Sequence, residues 1–193
     1  LRLDIEVSVP WRIEAPARLE VPLGGGVEVR ARLVWEGAEE RGVEMAIVRG
    51  DERIVMERGD GNEYRAVLPP VYRRERLELV AGRPGGFTRT LSVEVVPSGG
   101  RIVPVQDVVR TPARQDFAVE VRFESAQGDP VPAEAMPSDA RAVVGFAFAN
   151  LVPVEGSDRA QATIRGLPAG THRLRIVATG YAAVDIQVIA EDP

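Results

Sequence analysis

The chain has 193 residues, 45% hydrophobic and only 5% aromatic, so it can bury one or two cores built from Val, Ile, Leu and Ala. All 24 basic residues are Arg and the net charge is −5; residues 1–97 hold 15 Arg against 17 acids and the remainder 9 against 12, which excludes the basic surplus that nucleic acid requires. The absence of Cys and Lys removes disulfides, thiolate chemistry, Schiff bases and a P-loop, and no apolar run approaches the roughly 20 residues of a membrane helix.

A two-residue hydrophobic period runs through nearly every segment, as in half-buried antiparallel strands. Leu1, Leu3, Ile5, Val7 and Val9 alternate with polar residues up to Pro10. The chain opens on Leu1 with no leader pattern, and reads as a segment of a longer or processed protein. Val27, Val29, Ala31, Leu33 and Trp35 form the next such face, after Gly24-Gly25-Gly26. Shorter strands are predicted at 43–48, 53–57 and 63–68, with turns at Arg49-Gly50-Asp51-Glu52 and Asp60-Gly61-Asn62. Pro69-Pro70 ends a strand, since proline cannot donate to a central ladder. Leu77, Leu79 and Ala81, then Leu91, Val93 and Val95, complete the first half around a hairpin tip at Gly82–Gly86.

Ser98-Gly99-Gly100 is small and flexible, and places a module boundary between 1–97 and 98–193. In the second half, strands are predicted at 102–109, 117–123, 141–149, 160–165, 171–179 and 182–190. The stretch 125–139, rich in Pro, Ser, Asp and Gly, reads as a wandering sheet-edge connection. No close internal repeat is visible.

Three pieces of the second half resemble the carboxypeptidase regulatory-like domain, a transthyretin-like sandwich. They are Phe117–Phe123 followed by Gly128-Asp129-Pro130-Val131-Pro132-Ala133-Glu134-Ala135; Ala162–Gly170 with its Gly166-Leu167-Pro168-Ala169-Gly170; and Thr171–Tyr181. The resemblance covers about 115–190 and implies a non-catalytic folding, spacer or binding module. The usual Gly is replaced by Glu134, and the usual acidic turn by Gly156-Ser157-Asp158-Arg159. The first half resembles a bacterial immunoglobulin-like domain in strand count and in its Glu63–Leu68 and 75–81 patterns, without the Cys-Trp-Cys hallmark.

Candidate chemistry is thin. His172, the sole histidine, shares a strand face with Leu174 and Ile176 and is expected to be partly buried. A triad would need Ser157 or Ser138 with Asp158, yet no nucleophile elbow surrounds either serine. Glu36, Glu39 and Glu40 beside Gly37 and Arg41 read as a solvated turn rather than a glycosidase pair. Asp51, Asp60, Asn62 and Glu63 are oxygen donors on neighbouring turns, with no calcium-loop spacing. Arg49-Gly50-Asp51 and Arg58-Gly59-Asp60 are RGD tripeptides on predicted hairpin turns; against an adhesive reading, chance in a chain with 24 Arg and 19 Gly together with turn chemistry explains them better. Tyr72 with Arg73 and Arg74, and Trp11 with Arg12, are the candidate aromatic–basic contacts, packing being the usual role for Trp11.

The sequence is therefore expected to be all-β: two tandem antiparallel β-sandwich modules, immunoglobulin-like and then prealbumin/carboxypeptidase-regulatory-like. No catalytic, cofactor-binding or metal residue is designated. The expected role is a non-enzymatic structural or binding module of a larger exported bacterial protein, secreted, periplasmic or at the cell surface. Its partners would be other domains of that protein or envelope and extracellular proteins, with carbohydrate a weaker option because exposed aromatics are few. The alternative is an accessory, substrate-holding region of an extracellular peptidase or glycosidase.

Overall fold

The structure, a computed structural model, describes residues 11–35 and 42–192. The alternating run 1–9 and the acidic group Glu36, Glu39 and Glu40 lie outside the described residues. The chain is all-β: among the described residues the only helical turns are Asp60–Asn62 and Ala133–Ala135. Two compact units form. The first comprises the described residues of 1–20 and 26–69 together with Arg74–Val96; the second comprises Val21–Gly25, Pro70–Arg73 and the described residues from Pro97 onwards.

From the start of the described residues to Ser98 the strands are β1 (Trp11–Glu14), β2 (Arg18–Pro22), β3 (Val27–Trp35), β4 (Glu44–Arg49), β5 (Glu52–Val55), β6 (Glu57–Arg58), β7 (Glu63–Leu68), β8 (Glu75–Gly82) and β9 (Thr88–Ser98). They form one sheet in the order β1-β3-β7-β6 and another in the order β2-β9-β8-β4-β5. Alternation supplies the core. Val29, Ala31 and Leu33 of β3 are buried while Glu28, Arg30 and Arg32 face out. Met45, Ile47, Leu77, Leu79, Val93 and Val95 come from the second sheet. Trp11 begins β1 directly opposite Trp35, with ring centroids 5.6 Å apart.

The remaining strands are β10 (Gly100–Pro104), β11 (Val108–Pro112), β12 (Phe117–Glu124), β13 (Arg141–Val144), β14 (Ala147–Asn150), β15 (Val152–Pro153), β16 (Arg159–Ile164), β17 (Gly170–Val177), β18 (Tyr181–Ala182) and β19 (Val184–Glu191). Their sheets run β15-β16-β12-β10-β18 and β11-β19-β17-β13-β14. Setting aside the short β18, this repeats the first half strand for strand. Both halves show the four-stranded and extended sheets of an immunoglobulin-type Greek key. The tetrapeptide Val27-Glu28-Val29-Arg30 on β3 recurs as Val119-Glu120-Val121-Arg122 on the equivalent β12.

Three expectations need correction. The single strand predicted at 102–109 is two: β10 stops at Pro104, which has no N–H for a ladder, and β11 resumes in the other sheet, parallel to β19. The strand predicted at 141–149 is a hairpin, because Gly145 adopts φ +57 and Val144 pairs with Ala147 across a two-residue turn. Residues 11–14 and 18–22, for which no strand was predicted, form β1 and β2.

The second unit's core joins Val121, Phe123, Leu174, Ile176, Ile186 and Val188 with Leu23, which is fully buried. The Leu23 backbone is committed on both sides: its N–H donates to Ser98 O (2.8 Å), and its carbonyl accepts from Ala126 N (2.9 Å). Gly166, in the motif 166–170, could carry no side chain, since a Cβ there would sit 2.2 Å from the Arg114 carbonyl carbon. The Tyr181 ring packs edge-on to Phe123, centroids 5.1 Å apart. Its hydroxyl is buried without a hydrogen-bond partner among the described residues.

Leu23→Ala leaves a cavity among Phe123 and its neighbours and is expected to cost the second unit about 2–5 kcal/mol in urea unfolding; a loss below about 1 kcal/mol would contradict the packing. Burial, followed by the nearby Tyr72 and Asp139, pushes the Tyr181 phenol up to about 12. The folded state therefore holds this proton more tightly than the unfolded chain, whose phenol ionises near 10. Its contribution is complete below about pH 10 and is lost between about 10 and 12. Tyrosinate absorbance should show a late-ionising phenol that Tyr181→Phe removes, and the same substitution should flatten that fall in stability.

Candidate interaction edge

An outermost strand exposes a row of unpaired backbone groups, and proteins guard it with charge, proline or brevity. Among the described residues nearly every edge here is guarded. Arg12 and Glu14 protect β1, Glu57 and Arg58 protect β6, Arg18, Glu20 and Pro22 protect β2, and Glu52 and Arg53 protect β5. In the second unit Arg110 and Pro112 guard β11, Pro153 guards β15, and β18 has only two residues.

The edge strand β14 has none of these devices. It reads Ala147-Phe148-Ala149-Asn150, and the whole stretch 140–154 carries one charge, Arg141. Phe146 at the hairpin tip is fully exposed and Phe148 is 64% exposed. The register explains both faces. Ala147 and Ala149 pair with Val144 and Ala142 on the inner side, while Phe148 and Asn150 pair with Val143 and Arg141 on the outer side.

On the inner side lies a groove of about 460 Å³, bounded by Val144, Phe146, Ala149, Thr163, Ile164 and Leu167. On the outer side the Arg141 guanidinium lies 5.3 Å from the Phe148 ring centroid, a cation–π contact. Arg175 on β17 lies opposite Val143. Neither arginine reaches a carboxylate within ion-pair distance among the described residues. Asp185, opposite Arg175 on β19, is held by Arg173, whose hydrogen bond keeps the Asp185 carboxyl below the usual carboxylate range, with Arg175 adding to that shift.

The described candidates singled out in the sequence lie away from this edge. His172 sits half-buried on β17, with Nε2 2.8 Å from the Pro168 carbonyl; a carbonyl only accepts, so Nε2 carries the proton. Ser157 Oγ donates to Val154 O and accepts from Arg159 N, the bonds of a turn. No group of three or more His, Cys, Asp or Glu positioned for a metal exists among the described residues, so Asp51, Asp60, Asn62 and Glu63 form no such set. Both RGD arginines are engaged: Arg49 donates to Glu75 (2.8 Å) in a half-buried pair, and Arg58 to Asn62 (2.6 Å).

Trp11 is buried, and so is no exposed platform; Tyr72 packs against the second unit's core. Arg73 donates to Glu134 O, and Arg74 to Glu94. Phe146 and Phe148 fall within 141–149, and the expectation of one strand there hides the hairpin that exposes them. The signal was present: the Ala142/Val144 parity shifts to Ala147/Ala149 across Gly145.

No protein-family model matches the chain, and no curated protein matches it in sequence. Among solved structures, the adhesin InvE of Yersinia pseudotuberculosis superposes with a TM-score of 0.57 at 13% identity, over 94% of this chain and 59% of that one. The chain therefore spans less than two thirds of that structure, and the likeness is one of fold. The Dscam structure addressing isoform specificity aligns at a TM-score of 0.49 and 5% identity, over 93% and 46% of the two chains. The Escherichia coli adhesin FdeC aligns at 0.34 and 12%, over 97% and 66%.

Because both phenylalanines point to solvent, the double substitution Phe146→Ser with Phe148→Ser is expected to leave unfolding stability within about 1 kcal/mol. It should also lower the binding of a hydrophobic dye such as bis-ANS. A loss above about 2 kcal/mol would instead make these rings part of the core.

Proposed function

We propose that the chain is a non-catalytic interaction module of a larger exported bacterial protein, acting outside the cytoplasm by contacts with other proteins. The observation that carries this reading is the free, uncharged edge of β14 with Phe146 and Phe148 beside it, where the other edges of four or more residues carry charge or proline. Such an edge invites aggregation and is retained where something pairs with it. The fold likeness to a structure named as an adhesin supports a surface setting.

Within this reading the modules are 1–97, immunoglobulin-like, and 98–193, carboxypeptidase regulatory-like. The second assignment is supported by where its motif falls. Ala162–Ile164 closes β16, Gly166–Ala169 turns, Gly170–Val177 is β17, and Gly180 turns again at φ +86.

The test is affinity capture with the intact chain against the envelope and secreted fractions of the source organism, with the Phe146→Ser/Phe148→Ser form as control. A defined set of proteins retained by the native chain and lost with the variant is expected. Recovery of the same set by both, or of none, would remove β14 as the functional edge.

A further inference from the structure

A strand laid along the free edge of β14 continues its sheet through backbone hydrogen bonds, and its side chains alternate between the two faces. Side chains turned inward meet the groove beside Val144, Ala149, Ile164 and Leu167, whose walls are mainly apolar. Side chains turned outward meet the face of Phe148, over which Arg141 places a guanidinium that has no carboxylate partner among the described residues. Neighbouring strands lie about 4.8 Å apart, so a residue on an added strand opposite Phe148 is within reach of that guanidinium.

We propose that β14 accepts an extended peptide segment in which apolar residues alternate with acidic ones, the apolar side chains filling the groove and a carboxylate pairing with Arg141. The proposal rests on the reading of β14 as the interaction edge and names what that edge selects. Charge complementarity decides between occupants. A second copy of this chain pairing β14 with β14 would bring no counter-ion, because the stretch 140–154 contains no acidic residue and each Arg141 would stay unpaired. A partner strand bearing Glu or Asp supplies the missing charge. Arg175, opposite Val143 on the same outer face, is also opposite Asp185 on β19, which offsets its charge, so the selection rests on Arg141.

The experiment uses the whole chain and two fluorescein-labelled peptides, Thr-Val-Glu-Val-Glu-Val-Thr and the same peptide with both Glu replaced by Lys. Fluorescence anisotropy gives the affinities, and amide hydrogen exchange locates the contact. The glutamate peptide is expected to bind at least tenfold more tightly than the lysine peptide and to slow exchange at 146–150. Arg141→Glu, at an exposed position, should reverse the order of the two peptides. Equal affinities with protection at 146–150 would overturn the acidic preference while leaving β14 as an interaction edge. Absence of protection there with either peptide would overturn both readings. A concentration-dependent dimer in sedimentation, with 146–150 protected by self-association, would assign the edge to a second copy and overturn the proposal.

Discussion

A two-sheet sandwich must do something with the backbone at its margins, and this constraint organises both halves of the chain. An unpaired N–H or C=O at an edge is a bonding site for any passing strand. One margin is handled covalently. Among the described residues the first strands of each half divide between the sheets, so that β1 and β10 join one sheet while β2 and β11 join the other. Pro104 makes the break in the second half, and β11 then runs parallel to the last strand, β19. The opposite margin is crossed in the same way, since β5 and β6, like β14 and β15, are consecutive strands in different sheets; what differs between the halves there is the side chains.

The two halves resolve that margin differently with the same topology. In the first, β5 and β6 carry Glu52, Arg53, Glu57 and Arg58, residues that make strand addition costly through desolvation and repulsion. In the second, the corresponding strands carry only Pro153 as a block, and β14 is left with two exposed aromatic rings and a lone guanidinium nearby. Core packing does not demand this difference, because the inward residues Ala142, Val144 and Ala149 meet the core on either plan. The outward residues of an edge strand are free to vary, and binding selectivity resides in them.

Much of the fold was legible in the sequence. The runs at β3, β7, β8, β12 and β17 place an apolar residue at every second position, even where a residue such as Val67 or Val80 is apolar on the other face, since a central strand of an antiparallel sheet must bury one face and solvate the other. Turns that need positive φ, such as Gly50, Gly61 with Asn62, and Gly180, were also readable from residue type. The short elements were not. β1 and β2 are four and five residues long, and a hairpin whose flanks are both apolar, 141–150, resembles one strand with a glycine in it. The candidate edge fell within that hairpin, so it stayed hidden.

The sequence by itself determined that the chain is all-β, that its strands have one apolar face each, and that no cysteine thiol, lysine amine or pair of histidines is available, because these depend only on residue type and period. The tertiary structure alone decided which strand stands at the margin, that Trp11 faces Trp35, that Leu23 joins the core around Phe123, and that Phe148 lies in the open beneath Arg141. Alternation specifies which side of a strand is apolar, but not which neighbour lies beside it. That choice is made by long-range pairing between residues far apart in the chain, where local pattern carries no record of distance.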